Sequence, residues 1–345
     1  MIVIDGPVSP QDGIAFVRSI PVDIGRPLLA AANVTTTDRN EVSFSEIVRR
    51  NRMAKYRTFD GMIAASQRDS GRSVKVTMPP FSTSLSMGEY ERLQIEFART
   101  GGTNTGALTS AVYDDLDRLT SEMYNRAEFA LGQVRSTGKF SVNENGVNGF
   151  EVDYGLPADN VFTPAALWSS AAAQIWSDII ALNDRFKASA KVAPGKMEVD
   201  TAVLRLILTN EQVIQNVYGT AAGRIRATLA DVNAALAGEG LAPIVEVQSQ
   251  TMDVDGVDVP VTDRTQVRLL PVDESGLFEF RFGLTATALE LVNAAGVDFS
   301  YQEAPGIVGV IIKDGPPFRQ YTFLDAVGMP LINGANRMVL AKVIA

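Results

Sequence analysis

The chain reads as an α+β protein on three observations. One amphipathic helix of nearly 30 residues fits the segment from 107 to about 135. A polar, basic stretch at 41–79 alternates like two long strands around a turn. From residue 244 onward, strands dominate. A length of 345 residues suggests about two domains. Hydrophobic content of 46% and charged content of 21% suit a folded protein with a sizeable core.

Residues 1–40 read as an arm lying across other structure. Pro7, Pro10, Pro21 and Pro27 are expected to interrupt any helix there, and Thr35, Thr36 and Thr37 favour extended backbone. In the hairpin, Val42 and Phe44 alternate with polar neighbours, 53–59 runs extended, and 68–72 is a turn signal. Val74, Val76 and Met78 then alternate until Pro79 and Pro80 stop the strand. Residues 82–98 hold a short helical pattern (Tyr90, Leu93, Phe97), and 101–106 is a glycine-rich link with no phosphate-loop Gly-Lys-Ser/Thr.

The long helix carries the strongest local signal. Leu108, Val112, Leu116, Leu119, Met123, Ala127, Ala130, Leu131 and Val134 keep helical spacing for about eight turns, a span of about 40 Å. Asp114, Asp115 and Asp117 lie early and Arg135 and Lys139 late, the signs that the helix dipole favours, and Gly138 is a natural stop. The three acids point to different faces, so they read as solvated and not as an acid–base or metal cluster.

A second hairpin turns at Asn145-Gly146. Helices are expected over 168–190, 200–218 and 221–236, although 203–208 also suits a strand. Strands follow at 244–248, 267–270 and 278–282. The acids of 253–258 imitate a calcium loop but lack its Gly-then-Glu register, so a tight hairpin turn is the reading preferred. The β-branched run at 306–312 reads as a buried strand, 320–326 as extended, Pro330 as a bend and 337–344 as a closing strand.

Composition narrows the chemistry. The chain has no histidine and no cysteine, which removes His-based acid–base catalysis, the usual nucleophile systems, the common transition-metal ligands and disulfides. No cofactor, metal or catalytic residue is expected. No apolar run is long enough to cross a membrane, and the first residues lack the pattern of a secretory signal, so folding in a cytoplasm is expected. The net charge is −9 and the pI about 4.8. Against that balance, Arg49, Arg50, Arg52, Lys55, Arg57, Arg68, Arg72 and Lys75 face only Glu46, Asp60 and Asp69 over 46–75. A basic segment on an acidic body can dock on a neighbouring copy. The alternatives are a solvated loop, a nucleic-acid-binding module using 46–75, and a carboxylate-dependent hydrolase for which no convincing acid pair stands out.

Several short stretches fall in a distinctive order. Phe150-Glu151-Val152-Asp153-Tyr154-Gly155 leads to Asn160-Val161-Phe162-Thr163, then to Trp168-Ser169 and Asp178-Ile179. Later come Pro316-Pro317-Phe318-Arg319, Met329-Pro330-Leu331 and the valine-rich 338–344. Their order and spacing over nearly the whole chain resemble the lambda-type major capsid proteins of tailed bacteriophages, the phage capsid E family with the HK97-like fold. The resemblance implies an N-terminal arm at 1–40 and an extended β-hairpin loop at 41–80. It implies a peripheral domain with the spine helix at 81–155 and 311–345, and an axial domain at 156–310. It further implies no enzyme activity, and copies that form hexamers and pentamers of an icosahedral virion shell around double-stranded DNA. The DNA would be contacted only non-specifically, and assembly would occur in the host cytoplasm. A portal, a separate scaffolding protein and a decoration protein would be the other partners, with no membrane. The eight basic residues would make inter-subunit contact. Some relatives join a loop lysine to an asparagine, which makes Lys55, Lys75, Asn333 and Asn336 the candidates here, with a shell lacking cross-links the preferred reading.

Overall fold

The computed structural model describes residues 8–22, 25–47, 71–90, 105–144, 146–220, 223–254, 256–274, 276–293, 299–301, 303–314 and 319–345. The spine helix (Thr105–Thr137) organises one side of the molecule. Of the apolar positions that gave it away, Val112, Leu116, Leu119, Met123, Ala127, Ala130, Leu131 and Val134 are all buried. Gly138 takes a positive φ of 69° directly after it, ending the helix as expected.

A five-stranded sheet packs against this helix. Strands Asn33–Thr36, Phe278–Phe282, Arg319–Ile332 and Val308–Asp314 lie in that order, and Pro80–Met87 pairs with the other side of Arg319–Ile332. The 14-residue strand Arg319–Ile332 is shared by three neighbours, so it ties together segments from both halves of the chain. Two expectations are corrected here. Residues 80–87 form a strand past the expected stop at Pro79 and Pro80, because Phe81, Leu85 and Met87 alternate with exposed serines, while Leu93 and Phe97 of the helical pattern lie outside the described residues. Pro330 does not bend the chain; it sits in register opposite Phe280.

Pro10 and Pro27 begin helices instead of preventing them. Helix Pro10–Ser19 places Pro10 in its first turn, where a missing N–H costs nothing. The Ser9 hydroxyl oxygen accepts the Asp12 N–H at 3.1 Å. Pro27 opens the short helix Pro27–Ala31 in the same way. Ile14, Val17 and Leu29 are buried, so these helices pack on their own subunit. In the basic hairpin, Glu41–Ile47 pairs antiparallel with Gly71–Thr77. The extended stretch 53–59 lies outside the described residues.

A second sheet orders Val161–Phe162, Val339–Lys342, Gln266–Leu270, Lys196–Val199 and Ile244–Glu246. Helices Ile175–Ala190, Thr201–Thr209, Glu211–Tyr218 and Leu229–Gly238 accompany it. The first of them starts seven residues later than expected from 168, because 168–174 forms turns. Residues 223–228 are likewise outside the helix expected at 221–236, and 203–208 is helix, not strand.

Strand alternation assigns the two faces of this sheet. Met197, Val199, Val267, Leu269, Val339, Ala341 and Val343 face one core together with Trp168, Trp176, Ile179 and Phe186. Leu340 faces the other core, which contains the spine helix and Phe278, Phe280 and Phe282. The first core takes Leu277, Phe278, Phe280 and Phe282 from within 156–310, and the second takes Val339, Ala341 and Val343 from beyond it. The chain leaves the second core near Leu270, rejoins the first at Leu277, and returns to the second through 339–343. A small third cluster gathers Ile14, Leu284, Leu291, Phe299 and Val310.

Candidate functional site

The joint between the two cores is ionic. Arg135, in the last turn of the spine helix, meets the sheet face that carries Glu198 and Arg268 in register on neighbouring strands. Its Nη2 donates to Glu198 Oε1 at 2.7 Å and its Nε to Oε2 at 3.2 Å, a two-pronged pair. Arg135 also reaches Glu274 at 2.8 Å and lies 5.0 Å over the Phe278 ring. Lys196 pairs with both glutamates, at 2.9 Å to Glu198. Burial alone would raise the Glu198 carboxyl, but Arg135 and Lys196 outweigh it and hold it at about 2. Burial lowers Arg268, whose Nη1 donates to the Asp263 carbonyl at 2.9 Å. With Glu198 and Glu274 each paired to Arg135 and Lys196, the cluster reads as a joint between elements.

A second buried carboxylate ties the N-terminal region to the spine helix. Glu128 accepts the Leu28 N–H at 3.0 Å and the Leu29 N–H at 2.6 Å, serving the free donors at the start of helix Pro27–Ala31. Burial pushes its carboxyl above the usual range. The spacing of Glu128 and Arg135 is a signal that sequence reading passed over: both interrupt apolar positions late in a long helix.

Among the described residues no group of acids could hold a metal ion, and no helix is long and apolar enough to cross a membrane. Asp114 and Asp117 are exposed and Asp115 is partly buried, so the triplet does not converge. Asp253 accepts the Gly256 N–H at 2.6 Å in a tight turn between strands Thr251–Val254 and Val257–Pro260.

Of the eight basic candidates, Arg49, Arg50, Arg52, Lys55, Arg57 and Arg68 lie outside the described residues. Arg72 stands in register opposite Glu46, and Lys75, exposed, opposite Ser43. The candidate asparagines are engaged locally. Asn333 Nδ2 donates to Glu279 Oε2 at 3.2 Å, and Asn336 Nδ2 to the Ser189 carbonyl at 3.3 Å.

The family model for phage major capsid protein E matches residues 29–303. No match is found among curated proteins. The fold is similar to that of a prophage protein of E. coli CFT073 described as a capsid protein. The TM-score is 0.63 at 14% identity, covering 98% of this chain and 99% of that one. It is also similar to the capsid of Myoviridae phage XM1, with a TM-score of 0.50 at 8% identity and 95% of each chain covered. At such identities the likeness speaks for the fold, and the fold is the HK97-like one expected from the motif order.

Proposed function

The chain belongs to the phage major capsid protein E family, and from that premise we infer how its parts serve a shell. It is a major capsid protein, whose copies assemble into an icosahedral phage capsid. The match over residues 29–303 carries this reading. The same reading makes the protein a structural one with no catalytic residue.

Finer assignments extend it. The peripheral body is the first core with its spine helix, and the axial body is the second core. The basic hairpin lies over a neighbouring subunit, and its polar sequence suits a surface that a partner covers. Its cations meet the acidic body of another copy. Scaffolding, portal and decoration proteins are the other partners, the DNA is contacted without sequence preference, and assembly occurs in the host cytoplasm. Lys55 and Lys75 remain uncross-linked to Asn333 and Asn336, which already hold local partners.

Negative-stain electron microscopy tests the reading, with light scattering for mass, on the full chain expressed alone and with its neighbouring phage genes. Shells, tubes or capsomer rings are expected. A strict monomer under every condition overturns the reading. Reduced, boiled particles are expected to run as monomer on a denaturing gel, and higher bands would establish a cross-link.

A further inference from the structure

Two small elements stand out, one based on the second core and one rooted on the spine helix. The first is the loop 223–228, between helices Glu211–Tyr218 and Leu229–Gly238. Its base is fixed, because buried Ala227 donates its N–H to the Leu208 carbonyl at 2.8 Å. Arg224 lies 4.2 Å over the Tyr218 ring. Between Arg224 and Arg226 stands Ile225, 89% exposed.

The second is the hairpin of strands Thr251–Val254 and Val257–Pro260. It is rooted on the spine helix: Val261 packs against Gly132, and the Ser136 hydroxyl accepts the Asp263 N–H at 3.0 Å. Val257 is 62% exposed. Asp253 and Asp258 face each other directly across the two-stranded ladder. Like charges so placed repel unless a cation comes between them. Residues 251–260 hold three aspartates and no Lys or Arg; residues 219–228 hold two arginines and no acid.

We propose that these elements are the two halves of one contact between neighbouring copies. Ile225 of one copy packs on Val257 of the next, and Arg224 and Arg226 meet Asp253 and Asp258. The proposal rests on the shell reading above and names a surface that serves it. Apolar contact supplies affinity, while the opposed charges set orientation and exclude a loop-to-loop or hairpin-to-hairpin pairing. The two halves are different surfaces of one subunit, and we take the contact to be head-to-tail. Each added copy leaves one half unsatisfied until a ring closes.

The absence of cysteine makes the test clean. Full-length Ile225→Cys, Val257→Cys and the double variant are expressed with the neighbouring phage genes. Isolated particles are oxidised and run on a non-reducing gel. Both single variants should stay monomeric, and the double variant should give a ladder of covalent multimers, since a disulfide requires Cα atoms within about 7 Å. A dimer from either single variant, or monomers alone from assembled double variant, overturns the proposal. Charge reversal decides the matter if the thiol variants do not assemble. Arg226→Asp should lower the assembled fraction about tenfold, and adding Asp258→Arg should restore it. Rescue separates a lost contact from a lost fold, and no rescue overturns the contact. If the unmodified chain assembles while these variants contradict the contact, only the contact falls. If the unmodified chain never assembles, the shell reading falls with it.

Discussion

The first core collects residues from Val8 to Leu340, whereas the second is built from 168 to 269 and closed by a single returning strand. Contacts in the second core are therefore mostly within one stretch of chain. Those in the first close long loops, whose entropy must be met before packing rewards it. The strand Arg319–Ile332 and the spine helix carry that burden, since each touches segments distant in sequence. Between the cores the molecule uses charge. An ion pair taken out of water adds little net stability, but a two-pronged Arg–Glu pair has one good geometry where an apolar contact has many. Each core is held by packing, Leu270 and Leu340 of the second sheet pack into the first core, and the hydrogen-bonded ions add one defined geometry to that joint.

Removing Arg135 breaks this arrangement most severely. Arg135→Met leaves Glu198 buried without its main partner and should cost about 3–5 kcal/mol. Urea unfolding of the unassembled chain, followed by circular dichroism, should then separate into two transitions. A single transition at an unchanged midpoint would show that the cores are coupled in another way. Acid sharpens the comparison next. The Glu198 carboxyl is held at about 2, below its ordinary 4.5. Its contribution is thus complete above pH 4.5 and is lost as pH falls through the folded value, about 3 kcal/mol in all. Glu128 in the first core runs the other way: its carboxyl is raised by burial, so stability declines as pH rises from its ordinary 4.5 through the raised folded value. Unfolding curves between pH 2 and pH 6 should lose part of their acid slope in Glu198→Gln and keep it in Glu128→Gln. The smallest effect is expected at Gly132, where an added Cβ would lie 2.0 Å from the Val261 carbonyl oxygen. Gly132→Ala should destabilise by about 1–3 kcal/mol although alanine favours helix. A gain in melting temperature would mean that the hairpin base yields.

Local signals made much of the architecture legible. The spine helix showed in its apolar spacing because one stripe faces the core along its whole length. The turn at Gly146 showed because that position needs positive φ, and it has 88°. Strand 80–87 and the proline-started helices carried local signals too, in the alternation of Phe81, Leu85 and Met87 and in the Ser9-Pro10 cap, but proline was weighed as a breaker alone. The ionic joint showed only in part, through Arg135 interrupting the apolar stripe, and the pairing itself had no local signal. Arg135 and Glu198 are 63 residues apart, and nothing near either in sequence marks the other. The division of the cores was hidden for the same reason, since Leu340 and its neighbours Val339 and Ala341 serve different cores by facing opposite ways.

The chain has two tryptophans, and both sit in the second core, Trp168 with its Nε1 donating to Asp178 Oδ2 at 2.8 Å. The first core has none, although it contains the longest helix. Indole emission therefore reports on the second body alone, while the helical far-ultraviolet signal sums both bodies. The molecule carries its own pair of optical labels, able to tell which body loosens first without any dye attached.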